Sequence, residues 1–196
     1  MVHSDSTGPE VDDGQLVRAA QQRGLAGQLA FETLVDRHQQ WLVRLLMHLL
    51  GNQSDAEDVA QEAFVRAFLA IDDCTRPEGF RAWLRVIARR LAFNHRRDAR
   101  TRTMYQDKAG QMAARTAASP GGAVEGRQIL ELALSQISYA YREIMVLRFV
   151  EELPLRDIAA VLEIGESAAK MRLSRARTEF EQVYDKLGGG PDGADA

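Results

Sequence analysis

Three groups of side chains in this sequence could engage a charged partner. The first is acidic. Asp55, Asp58 and Glu62 stand at i, i+3 and i+7 with Gln61 beside them, and on a helix that spacing gathers them on one face. The second is basic. Residues 80–102 carry Arg81, Arg85, Arg89, Arg90, Arg96, Arg97, Arg100 and Arg102 against Asp98, a net of +7, interleaved with Phe80, Trp83 and Phe93 and including Asn94 and His95. Guanidinium groups among aromatics suit single-stranded or distorted DNA, where phosphates need countercharge and bases stack. The third is an apolar segment with Ile158, Ala159 and Leu162, a turn Glu163-Ile164-Gly165, and a longer segment displaying Lys170, Arg172, Arg175 and Arg177. This is the layout of a helix-turn-helix, whose second helix enters the major groove. Its N-terminal end adds the positive potential of the helix dipole, and arginine or lysine there reads guanine edges or clamps phosphates.

Each group also has a plainer reading. Acids at a helix start favour the dipole and can be a solvated, well-capped turn; a basic protein partner is the sharper alternative. The third group could be a helical hairpin with a solvated basic face. Phe80 and Trp83 lie on an apolar stripe, which favours the core over base stacking. The arginines could be a solvated face, but +7 over 23 residues is a large repulsion to tolerate without an anionic partner. Residues 53–79 hold seven acids against Arg66 and Arg76, a net of −5, so the whole-chain charge of −3 averages two opposed surfaces. That polarity suggests two partners, one of them nucleic acid.

Other chemistry has little support. No histidine stands at ligand spacing to the acids, so no metal is expected, and there is no nucleophile–base pair or phosphate-binding loop to make an enzyme or hold a cofactor. Cys74, the one cysteine, has no partner for a disulfide or a ligand set and reads as a buried or incidental thiol.

The elements that position these groups follow from periodicity. A short helix over 14–22, capped by Asp12 or Asp13, closes at Gly24. A second, over 29–50, carries Phe31, Leu34, Val35, His38, Leu42, Leu45, Leu46 and Leu49, and stops at Gly51-Asn52. Ser54 and Glu57 have the spacing of a capping box for a third helix burying Val59, Ala60, Ala63, Phe64, Ala67 and Phe68. A polar loop over 72–76 leads to Pro77, suited to the first turn of a helix whose stripe is Phe80, Trp83, Leu84, Ile87, Ala88 and Leu91. Arg81, Arg85 and Arg89 fall on another face. From 103 to 126 the pattern dissolves into Ala, Gly, Gln and Ser-Pro-Gly-Gly. It returns at Ile129, Leu130, Ala133, Leu134 and Ile137, then at Ile144 and Leu147, then in helices over 154–162 and 166–187.

The expected fold is therefore all-α: two small helical domains joined by a flexible linker, the second containing the helix-turn-helix. The expected divisions are a tail over 1–12, a first domain over 13–102, a linker over 103–126, a second domain over 127–187 and a tail over 188–196. A length of 196 residues allows two such units. The apolar runs are too short to span a bilayer, and the acidic N-terminus lacks a secretory pattern. A cytoplasmic protein without direct membrane insertion is expected.

The run Asp55-Ala56-Glu57-Asp58-Val59-Ala60-Gln61-Glu62-Ala63-Phe64 resembles the DAEDxxQExF signature of extracytoplasmic-function sigma factors. Phe80-Arg81-Ala82-Trp83-Leu84 through Asn94-His95-Arg96-Arg97 is similar to the segment that follows it in that family, and residues 134–148 and 153–177 resemble the family's second domain. The resemblance covers about residues 13–102 and 128–185, in the family's order. It implies an alternative sigma factor that binds core RNA polymerase and directs it to promoters. Asp55, Asp58, Gln61 and Glu62 would bind the clamp helices of the largest subunit. Residues 72–97 would melt and capture the minus-ten element, through Arg85, Arg89, Asn94, Arg96 and Arg97. Glu166, Ser167, Lys170, Met171, Arg172 and Arg175 would read the minus-thirty-five element, with the second domain resting on the polymerase flap.

The resemblance also implies an anti-sigma factor, often membrane-anchored, that holds the protein at the membrane until a stress signal. A linker of 24 residues spans roughly 25–30 Å as a flexible coil. The domains would then either spread apart or close around a third body, with their polymerase- and DNA-binding surfaces exposed when free. The sequence departs from the family at Glu163, where glycine is usual, at Gly165, where serine or threonine is usual, and at Ala168-Ala169-Lys170-Met171, which lacks the common threonine and serine. The promoter sequence therefore does not transfer from relatives. Two rival readings are a helix-turn-helix regulator acting on duplex DNA without polymerase, and a sigma-mimic interaction module.

Overall fold

The structure, a computed structural model, describes residues 11–108 and 126–189. Residues 1–10 of the tail expected over 1–12, residues 190–196 of the tail expected over 188–196, and residues 109–125 of the expected linker lie outside the described residues. Every regular element among the described residues is helical.

The first unit is built from α1 (Asp13–Gln21), α2 (Gly24–Leu50), α3 (Gln53–Leu69) and α4 (Phe80–Lys108). Asp12 caps α1, its side chain accepting from the Gln15 N–H at 2.8 Å. α2 starts at Gly24 rather than at residue 29, because its first turn is solvated: Leu25 and Leu29 are exposed, and the apolar pattern begins only at Ala30. Arg23 and Gly24 make the reversal in the left-handed half of backbone space, at φ 56° and 72°. Gly27 lets the two helices touch, since a Cβ there would stand 3.1 Å from the carbonyl oxygens of Ala19 and Ala20.

α3 is capped by Asn52, whose side chain accepts from the Asp55 N–H at 3.0 Å. The capping box expected from Ser54 and Glu57 does not form. The helix begins at Gln53, which places Ser54 inside the first turn, and Glu57 instead accepts from the Gln53 amide. The buried face of α3 is Ala56, Val59, Ala60, Ala63, Phe64 and Ala67. Small side chains there let α2 and α4 approach closely and close the core around Leu34, Leu42, Leu45, Leu46, Leu49, Phe80, Leu84 and Ala88. Two 3₁₀ turns, Ile71–Asp73 and Pro77–Gly79, form the connection to α4, with Pro77 in the second of them rather than inside α4. Gln21 ties this loop to α1 by donating to the carbonyls of Ile71 and Cys74. Cys74 is buried, and burial raises its thiol pKa. α4 continues to Lys108, so residues 103–108, read as linker, are helical. The chain there has no glycine or proline before Gly110.

The second unit contains α5 (Gly126–Gln136), α6 (Tyr139–Met145), a π-helical turn (Val146–Val150), α7 (Leu155–Leu162) and α8 (Glu166–Lys186). Its core is Leu134, Ile137, Ile144, Leu147, Ile158, Leu162, Ala169 and Ala176. The helix-turn-helix is present. α7 closes on Glu163 in the left-handed conformation at φ 56°, and Gly165 precedes α8 in extended backbone without a side-chain cap. A non-glycine residue in that conformation costs about 1 kcal/mol. The two units meet directly: Tyr139 and Val146 of the second pack into the core of the first.

The cap assignment separates two neighbouring residues. Asn52→Ala is expected to cost about 1 kcal/mol, whereas Ser54→Ala should stay within about 0.5 kcal/mol of the parent, as for an ordinary surface change. Urea unfolding followed by circular dichroism measures both; a larger loss from Ser54→Ala than from Asn52→Ala would return the cap to Ser54.

Candidate functional site

Asp58, Gln61 and Glu62 are exposed on α3, with Asp55 half-buried at their N-terminal side. Glu62 accepts from Arg66 one turn on, at 2.6 and 3.0 Å, and the His95 ring stands 3.3 Å from the Asp55 carboxylate. Val65 and Leu69 continue the same face and are exposed, so the acidic patch borders an apolar one. Sequence reasoning missed these two, although both fall off the buried stripe of α3, which is a legible signal.

The arginine helix is not the uniformly exposed surface expected. Phe80 is fully buried and Trp83 half-buried, as their stripe implied. Asn94 and Arg97 are exposed and Arg96 is half-buried, its guanidinium 5.2 Å from the centre of the Tyr139 ring. Arg85 and Arg89, however, turn into the seam between the units. Arg85 donates through Nε and Nη2 to Glu151 Oε2 at 3.1 and 2.7 Å, with 7% of one side chain and 4% of the other exposed. Trp41 Nε1 donates to the other oxygen of Glu151 at 2.7 Å. Arg81 lies 3.7 Å from the same carboxylate, and its guanidinium and that of Arg85 stand 4.4 and 5.5 Å from the centre of the Trp41 ring.

Arg89 donates to Glu143 at 2.9 Å. Burial pushes the Glu143 carboxyl above the usual range, while the Arg89 charge and hydrogen bond draw it back. Arg90 pairs with Glu163 on the exposed rim. Behind them Arg142 donates to the Leu49 carbonyl at the end of α2 and to the Leu134 and Ser135 carbonyls at the end of α5. Helix C-termini carry unsatisfied carbonyls and partial negative charge, and burial lowers this guanidinium only to about 10, so it stays charged near neutrality.

These partners lie 54 and 66 residues from their arginines. Neither Glu143 nor Glu151 was singled out from the sequence, because neither falls in a local pattern with an arginine.

On α8, Glu166, Ser167, Lys170, Met171 and Arg175 are exposed and Arg172 is half-buried. Ser167, Met171 and Arg175 form one column at intervals of four, and Glu166 and Lys170 an adjacent one. Met171 is 56% exposed, unusual for its type and consistent with a contact surface. On another side of this unit Leu130, Leu134, Met145, Val146, Phe149, Val150 and Phe180 line an open apolar groove of about 430 Å³. Among the described residues no group of three or more His, Cys, Asp or Glu is placed to hold a metal, and no helix is long and apolar enough to cross a membrane.

Comparison with known proteins gives a consistent result. Residues 34–102 match Sigma-70 region 2, and residues 127–180 match Sigma-70 region 4. The chain is 30% identical to the ECF RNA polymerase sigma factor SigW of Bacillus subtilis, across 81% of this chain and 90% of that one. It is 32% identical to ECF RNA polymerase sigma factor SigL of Mycobacterium tuberculosis, across 79% and 89%. Its fold matches the sigma factor RpoE of Bartonella quintana, solved in complex with the anti-sigma factor NepR, with TM-score 0.64 and 25% identity over 79% of this chain and 96% of that one. It also matches CnrH, solved in complex with the cytosolic domain of CnrY, with TM-score 0.62 and 27% identity over 89% and 97%. With both sigma regions in order and relatives matched along nearly their whole length, the chain belongs to the ECF RNA polymerase sigma factors.

Proposed function

We propose that this protein is an alternative sigma factor that binds core RNA polymerase, directs it to specific promoters and initiates transcription, under the control of an anti-sigma factor. The observation that carries the reading is the pairing of both sigma regions in one chain with an exposed α3 acidic face and an exposed α8 column. The protein acts in the cytoplasm by binding rather than by catalysis. Residues 13–102 form the unit that grips the polymerase clamp and the minus-ten strand, and residues 127–187 the unit that reads the minus-thirty-five duplex.

Asp55, Asp58, Gln61 and Glu62 make the clamp contact, supported by their shared face, with Val65 and Leu69 extending it. Lys170, Met171, Arg172 and Arg175 read the upstream element, with Glu166 and Ser167 at the helix start. Arg85, Arg89, Asn94, Arg96 and Arg97 hold the minus-ten strand. The apolar groove beside Phe149 and Phe180 has the lining that an amphipathic helix of the polymerase flap would need. An anti-sigma factor, often membrane-anchored in the family, would compete for the α3 face, and where it is anchored it would hold the protein at the membrane.

Asp58→Arg with Glu62→Arg is expected to abolish core-polymerase binding in size exclusion and to abolish run-off transcription, while the circular-dichroism melt stays near that of the parent. A folded double variant that still co-elutes with polymerase would remove the clamp assignment.

Lys170→Ala and Arg175→Ala are each expected to weaken upstream promoter recognition by about 1–3 kcal/mol where the side chain reads a base. A phosphate contact would lower affinity for all sequences alike and flatten the salt dependence. Footprinting of the holoenzyme on matched and mutated upstream elements distinguishes the two. Nanomolar binding to duplex by the free protein at physiological salt would instead favour an ordinary helix-turn-helix regulator.

A further inference from the structure

One face of α1 is turned to the connection between α3 and α4 rather than to the core. Leu16, Val17 and Ala20 pack inward. Gly14, Arg18 and Gln21, at i, i+4 and i+7, form a second column along the helix, and all three meet that connection. At the start of the column a Cβ on Gly14 would stand 3.2 Å from the Glu78 side chain, so glycine lets α1 lie against the second 3₁₀ turn. Arg18 donates to Glu78 at 2.7 Å. At the end of the column the Gln21 amide, with two hydrogens to donate, gives them to the Ile71 carbonyl at 3.1 Å and the Cys74 carbonyl at 3.2 Å. Those two carbonyls bracket the first 3₁₀ turn, and one side chain bridging them fixes how the turn bends.

Just beyond α1, Arg23 sits at φ 56° and ψ −169°, a backbone conformation that glycine adopts freely and other residues rarely do. The side chain carried there reaches back to the same loop and donates to Asp72 at 2.6 Å. Both α1 and Arg23 lie outside residues 34–102, the segment that matches Sigma-70 region 2. The loop they hold has two sides. Ile71 and Cys74 are buried beneath it, and Asp72, Asp73, Thr75 and Arg76 are exposed.

We propose that α1 is a brace for this loop, with Gln21 as its positioning residue. It holds the backbone of residues 71–76 in one shape before DNA arrives, so the exposed side chains meet the bases of the minus-ten strand already placed. This rests on the reading of residues 72–97 as the minus-ten surface. A loop ordered in advance has less conformational entropy to lose on binding. The brace therefore bears on base reading, which carries sequence information, more than on phosphate contacts of the α4 arginines, which carry none. Gln21 has the larger share because its bonds are part-buried. The Arg18–Glu78 and Arg23–Asp72 pairs are exposed, and water and salt screen such pairs.

The test uses holoenzyme assembled with the full chain carrying Gln21→Ala or Gln21→Glu; the second keeps the size of the side chain and removes its donors. Parent holoenzyme first selects its preferred strand from forked templates with a randomised single-stranded minus-ten segment. Both variants should then bind that strand about tenfold more weakly if the loop holds its shape one time in ten. Singly substituted strands should lose less, so discrimination at the minus-ten element falls. Discrimination at a randomised upstream duplex, read by α8, should stay at the parent value. Hydrogen exchange of the free chain should quicken in peptides covering residues 71–79 and not in α8.

A variant that keeps its minus-ten discrimination overturns the proposal. So does equal loss at both elements, which marks general damage, and so does loss at the minus-ten element with unchanged loop exchange. A parent that selects nothing from the randomised segment defeats the minus-ten reading itself, and the brace with it; the other outcomes defeat the brace alone. Should both Gln21 variants fail to fold, Arg18→Glu with Arg23→Glu serves, since both side chains are exposed and the reversed charges repel Glu78 and Asp72. The same selective loss is expected there, and unchanged minus-ten discrimination overturns the proposal.

Discussion

A guanidinium taken out of water must keep an anion or a set of carbonyl oxygens beside it, and that constraint fixes how the two halves of this protein meet. Arg85, Arg89 and Arg142 all leave solvent at the seam, and each is held by at least one group from a distant part of the chain. Removing one member of such a set strands a buried charge at a cost of about 3–5 kcal/mol, although the intact pair contributes little net stability. The seam is therefore specific without being strong. Apolar packing sharpens it, since Tyr139 and Val146 enter the core of the first unit, but the ionic pairs decide which turn of α4 faces which turn of the second unit.

The same economy of faces runs through the rest of the fold. α3 turns a nearly all-small face to the core, which frees its opposite side to carry acids and two exposed apolar residues. α4 divides its circumference between Phe80, Leu84, Ala88 and Leu91, which pack inward, and Arg81, Arg85 and Arg89, which do not belong to that core. A helix needs only a stripe of roughly 100° to dock, so each can bury one side and offer another. The π-helical turn at Val146–Val150 has its own part: its wide bond from the Glu151 N–H to the Val146 carbonyl ends the helix where Glu151 meets Arg85. Such turns often sit at functional positions.

Much of this was legible in the sequence, because helices are written locally. The apolar periodicity placed the core of α2, α3 and α4, and the turn Glu163-Ile164-Gly165 announced a helix-turn-helix, in which Glu163 is found in the left-handed conformation at φ 56°. The family signature agreed with the relatives found by comparison. Where local rules compete, the reading slipped. Asn52 and Ser54 are both good caps, and the helix chose the earlier one; the start of α2 was hidden because its first turn is solvated. The least legible feature was the fate of the arginines. A run of cations shows that an anion is needed, not which anion answers. Glu143 and Glu151 are ordinary acids in a different periodic segment, and only the folded chain brings them to α4.

The segregation of charge along the chain then acquires a physical meaning. A stretch of net +7 over residues 80–102 attracts polyanions of any kind, and a protein carrying it uncovered would bind nucleic acid indiscriminately. Carboxylates in the same chain act against that as an intramolecular competitor at a high effective concentration. A stray oligonucleotide at lower concentration must overcome that local competitor. Covering the cations with acids from the same chain therefore does more than neutralise them. It makes the access of any polyanion to Arg85 and Arg89 a competition with Glu151 and Glu143.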